Sequence, residues 1–79
     1  MNNAQRRKLD AITERLLVVV EELASIMEDE EGKLDNMPEG LQYSDRGQAF
    51  QDGIDKLQEA IDAIEESIGS VQEAQEASA

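Results

Sequence analysis

Seventy-nine residues with 19 acidic and seven basic side chains give a net charge of −12, with no histidine or cysteine in the chain. That composition excludes imidazole catalysis, disulfides, thiolate nucleophiles and the common transition-metal sites. An anionic chain also repels phosphate backbones and anionic lipids, so neither direct nucleic-acid binding nor membrane binding is expected.

Leu, Ile, Val and Phe together number 18 of the 79 residues, just above the roughly 20% level below which chains stay disordered. A single small domain over 1–79 with a marginal core is the expectation. No apolar run is longer than Leu16-Leu17-Val18-Val19-Val20, too short for a membrane span or a signal-peptide core, and the chain reads as soluble and cytoplasmic.

The first element is a helix over about residues 4–33. Leu9, Ile12, Leu16, Val19, Leu23 and Ile26 alternate three- and four-residue steps, the pattern of a heptad seam. Thr13, Leu17, Val20, Ala24, Met27 and Leu34 repeat that rhythm one residue on, about 100° further round the helix. One partner helix requires one stripe. The second is therefore assigned to contacts between copies of the chain, with Leu17, Val20, Ala24 and Met27 as the oligomer interface.

A hinge follows over about 34–44. Pro38 disfavours helical geometry at Met37, so the first helix should stop by Asn36, and Gly32 weakens its last turns. Ser44 suits the N-cap of the next helix, with Asp45 favourably placed in its first turn.

The second helix is expected over about 45–73, where Phe50, Ile54, Leu57, Ile61, Ile64, Ile68 and Val71 keep an unbroken four-three rhythm. Gly53, Ala60, Ser67 and Ala74 form a column of small residues beside it, expected to let a neighbouring backbone approach. After Val71 no large apolar residue remains, so 74–79 is expected to fray. Two matched helices and a short hinge predict an all-α antiparallel hairpin. Self-association would make it a helical bundle, four-helix if the assembly is a dimer.

Antiparallel pairing sets Arg6, Arg7 and Lys8 near Glu65, Glu66 and Glu73, leaving the hinge end strongly negative. On the second helix Asp52, Asp55, Glu59, Asp62 and Glu66 recur at three- and four-residue steps and form one acidic ridge opposite the seam. Each like-charged neighbour costs a helix about 0.2–0.5 kcal/mol. The ridge is either a solvated face or a linear anionic surface that docks on a basic groove.

The hinge holds the only aromatics, Tyr43 and Phe50, close to Arg46. Either Leu41, Tyr43 and Phe50 plug the bundle end while Arg46 relieves its acidic tip, or the hinge binds a ligand, with Tyr43 stacking a ring and Arg46 gripping a phosphate or carboxylate. An EF-hand is excluded, because Gly32 at loop position 6 puts Met27 at position 1, and Gly40 there puts Met37 at position 3 and Arg46 at position 12. No phosphate loop, carboxylate pair in an apolar pocket or metal cluster is recognisable. The chain is therefore read as non-enzymatic, with no catalytic, cofactor or metal-binding residues.

The run Asp-Asn-Met-Pro-Glu-Gly-Leu-Gln over 35–42, followed by Ser-Asp-Arg-Gly-Gln over 44–48 between two acidic helices, resembles small proteins of phages and prophages of Gram-positive gut bacteria. The resemblance implies a mobile-element origin and assigns no functional residue. Small phage proteins without catalytic motifs often block or sequester a host factor, which makes counter-defence the associated expectation. The functional expectation is thus a homo-oligomeric binding protein whose ridge occupies a basic host surface, such as that of a nuclease. The alternatives are an oligomeric sponge for a small nucleotide built from Tyr43, Arg46 and the Arg6-Arg7-Lys8 cluster, and a structural or assembly protein.

Overall fold

The computed structural model describes residues 1–78. These form three helices, α1 Asn3–Asp35, α2 Glu39–Gln42 and α3 Asp45–Ala77, with no strand among them. The long helices pack side by side as an antiparallel hairpin, a rod of 58 × 17 × 11 Å.

Helix starts and stops follow from local chemistry. Asn2 caps α1 through a reciprocal box: Gln5 N–H donates to Asn2 Oδ1 at 2.8 Å, and Asn2 N–H donates to Gln5 Oε1 at 3.1 Å. Gly32 does not end the helix, because Asn36 N–H still reaches the Gly32 carbonyl at 3.0 Å. Pro38 then opens the single turn of α2.

The Gln42 amide folds back and donates to the carbonyls of Leu34 (3.3 Å) and Met37 (3.1 Å), satisfying oxygens left over where α1 ends. Ser44 caps α3 by accepting from Gly47 N–H. Gly47 is buried, and a Cβ there would run into the Gln42 and Leu41 carbonyls. Only glycine allows α3 to start so close to α2.

The far end of α3 departs from expectation. Helix continues to Ala77 where fraying was expected from residue 74; Ala79 lies outside the described residues. Ala, Glu and Gln are good helix formers, which supports the extra turn. Cross-links to α1 then fix it: Gln75 donates to Arg6 O (3.2 Å) and Asp10 Oδ1 (3.0 Å), and Arg6 Nη2 donates to Ser78 O (3.1 Å).

The core is one seam. On α3, buried Ile54, Ile61 and Ile68 alternate with half-buried Phe50, Leu57, Ile64 and Val71, the residues whose rhythm marked them in the sequence. On α1 the half-buried line runs Leu9, Thr13, Leu16, Val20, Leu23, Met27, Leu34. This corrects the two-stripe reading. The hairpin takes alternate members of both lists, because its contact line bisects them, so Val20 and Met27 are spent inside the hairpin rather than on a separate face. The small-residue column is also corrected. Gly53, Ser67 and Ala74 are exposed and only Ala60 is half-buried, and nothing stands within 4 Å of a Cβ placed on Gly53, so no backbone of the same hairpin approaches at that position.

Candidate functional site

The acidic ridge is a consequence of how α3 is anchored. Its isoleucine column faces α1, so positions half a turn away face solvent, and Asp52, Asp55, Glu59, Asp62 and Glu66 are all exposed. From Asp52 to Glu66 the ridge covers about 21 Å of helix axis.

Its carboxylates are held by neighbours on the same helix. Gln51 donates to Asp55 at 3.0 Å, Gln58 donates to Asp62 at 2.9 Å, and Lys56 pairs with Glu59 at 3.0 Å. The hydrogen bond and charge of Glu59, aided by Asp52 and Asp55, hold the Lys56 amine above its ordinary value. None of these contacts crosses to α1, so the ridge is a surface with no role in joining the helices.

The hinge candidates separate. Arg46 and Phe50 line an open groove of about 410 Å³ together with Lys33, Met37, Pro38 and Leu41. Lys33 pairs with Glu30 at 2.9 Å, and the Glu30 hydrogen bond and charge, with a smaller push from Asp29, raise its amine above the ordinary value. Tyr43 is 77% exposed and borders a different depression, with Leu34, Asp35 and Gln51. Tyr43 and Arg46 therefore border different cavities, and the Arg6-Arg7-Lys8 cluster lies at the opposite end of the rod, where Arg6 bonds to Ser78.

Of the interface residues expected from the sequence, Leu17 is exposed, Ala24 is half-buried, and Val20 and Met27 sit in the seam. What the sequence reading missed is a second set. Ile12, Val19 and Ile26, expected in the core, stand 36–52% exposed. Their seven-residue spacing was the available signal, because it marks a column of its own beside the seam.

Among the described residues no group of three or more carboxylates converges to hold a metal ion, and no helix is long and apolar enough to cross a membrane. No protein-family model, curated protein or solved structure matches the chain.

Proposed function

We propose that this chain is a non-enzymatic, homo-oligomeric binding protein of phage or prophage origin. In the host cytoplasm it inhibits or sequesters a host component, such as an immune-defence factor, by docking its acidic ridge on a basic surface of that partner. The observation that supports this is the ridge itself: five exposed carboxylates aligned over about 21 Å, bonded only within α3 and idle in the fold. A basic groove evolved for a phosphate backbone presents charges along a line, and a rigid line of carboxylates opposes them with little ordering cost.

The test is competition. Basic DNA-binding nucleases are titrated with the protein in the presence of labelled duplex DNA. The native chain should displace the DNA at low salt and lose that ability as salt rises, since exposed charges are screened over about 8 Å at physiological ionic strength. Glu59→Lys with Asp62→Lys should abolish displacement and keep the helical spectrum, whereas Glu73→Lys with Glu76→Lys should retain most of it. Equal activity of both double variants rejects the ridge as the docking surface.

A second reading draws on the hinge groove, where Lys33 and Arg46 stand beside Phe50. In that reading the oligomer sequesters a small nucleotide, with Arg46 on its phosphate. Calorimetric titration with nucleotides, repeated on Arg46→Ala, separates the two.

A further inference from the structure

Heptad position distinguishes the two long edges of the hairpin. With the seam assigned to positions a and d, one edge is lined by position g of both helices, the other by position e, as antiparallel pairing requires. The cavities agree: Lys33 and Arg46 border one groove on the g edge, and Asp10 and Gln72 border one on the e edge.

The two edges differ in chemistry. The g edge reads Gln5, Ile12, Val19, Ile26 and Lys33 on α1, and Arg46, Gly53, Ala60, Ser67 and Ala74 on α3. No acid occurs at any of these ten positions, in a chain holding 19. Acids do interrupt the e edge, at Asp10, Glu31 and Glu65. A strip without acids in so acidic a molecule is a surface from which negative charge has been kept out, with cations only at its hinge end, Lys33 and Arg46. On it an exposed isoleucine-valine ridge lies beside a floor of small side chains with open space above Gly53.

We infer that a second copy of this chain covers the g edge, packed face to face with its ends reversed. The inference rests on the oligomeric reading above and specifies its interface. Area supports it first. The accessible surface is 5704 Å² for 8.8 kDa, against about 4,800 Å² for a compact folded monomer of that mass. The excess of about 900 Å² is close to the roughly 800 Å² that each partner contributes to a standard interface.

Symmetry supports it next. A two-fold interface must be self-complementary, and the inner members of both columns match about their middles, β-branched Ile12 and Ile26 about Val19, and small Gly53 and Ser67 about Ala60, while the outer pairs Gln5 with Lys33 and Arg46 with Ala74 differ. The bonds of Gln75 to Arg6 and Asp10 set the relative height of the helices, and Val19 then lies within about one turn of Ala60. A single axis across the rod therefore serves both columns. It sets Val19 on Val19 of the partner subunit and Ile12 on Ile26 of the partner subunit, while the small floors of the two α3 helices meet closely.

Charge decides the direction. Residues 20–61, the hinge half, carry twelve acids and three bases, and the other half carries seven acids and four bases. Packing hinge on hinge would oppose the two most negative halves, whereas reversed ends place each against the milder one.

The chain has no cysteine, so single substitutions report contacts directly. Light scattering should give a dimer at micromolar concentration. A short bismaleimide should join Val19→Cys to itself and Ala60→Cys to itself, leave Val18→Cys unlinked, and give no mixed product from Val19→Cys and Ala60→Cys combined. A mixed product would overturn the reversed direction. Linking through Leu17→Cys in place of Val19→Cys would overturn this interface and leave self-association standing, and a well-folded monomer would overturn both. Val19→Asp, at an exposed position of the hairpin, should keep its helicity and weaken dimerisation by roughly a hundredfold or more, since each dimer loses two buried valines. Val18→Asp should leave the dimer intact.

Discussion

The two long helices are equal in length, 33 residues each, and opposite in how they use apolar side chains. Helix α3 supplies the buried apolar residues, Ile54, Ile61 and Ile68, and shows no large apolar side chain to solvent. Helix α1 buries none fully and exposes Ile12, Leu17, Val18, Val19 and Ile26. The difference lies in width. The apolar stripe of α3 is as wide as its contact with α1, with small residues on one flank and acids behind. The apolar surface of α1 is wider than the contact it makes. Two helices of the same length thus differ in apolar surplus, and the surplus on α1 is the surface that the proposed second copy covers.

The sharpest way to break this comparison is at mid-height. Ile61 is 4% exposed, and Ile61→Ala should cost about 3 kcal/mol in a urea melt, while Val18→Ala on the outer side of α1 should stay within about 0.5 kcal/mol. Equal losses would mean the two helices contribute alike. At the start of α3, Gly47→Ala should cost about 2 kcal/mol, because the added methyl displaces the Gln42 carbonyl, whereas Gly69→Ala, off the g edge and with nothing within 4 Å of the added methyl, should stabilise the helix by up to about 1 kcal/mol.

Within the α1 side of the seam, the Thr13 hydroxyl is buried without a hydrogen-bond partner. Thr13→Val should raise stability by about 1 kcal/mol, measured by the shift in denaturation midpoint at constant slope.

The smallest effect is alkaline. Glu30 and Glu59 raise Lys33 and Lys56 above the usual 10.5. A raised folded-state value means that the stabilisation is complete below 10.5 and disappears as pH climbs through the folded-state values. Helicity followed from pH 9 upward should show a slight decline that Lys33→Met with Lys56→Met removes, as expected of exposed pairs.

The same asymmetry explains what was readable in the sequence. Helix α3 offers a single apolar line from Phe50 to Val71, so its buried face follows from spacing alone, and the ridge behind it follows as the opposite face. Helix α1 offers three neighbouring apolar columns, and spacing defines columns without saying which two meet the partner. That choice is made by α3, through contacts between residues far apart in the chain, and so Ile12, Val19 and Ile26 were expected inside while Val20 and Met27 were expected outside.

The polar clasps were invisible for a different reason. Gln42 and Gln75 act through single amide groups at the two ends of the rod, with no periodicity to announce them. Tyr43 and Arg46 are three residues apart in sequence and yet border different cavities, since the single turn of α2 and the start of α3 direct them apart.

The tight junction at Gly47 has a kinetic consequence. In an antiparallel hairpin each successive contact joins residues farther apart in sequence, and the shortest loop is the one closed around α2. Once Gly47 seats against Gln42 and Leu41, each further turn of seam adds little loop entropy, so pairing proceeds from the hinge outward like a closing zip. Disturbance near the hinge should therefore slow refolding. Loss of the Gln75 clasp at the far end should instead quicken opening and leave the refolding rate nearly unchanged.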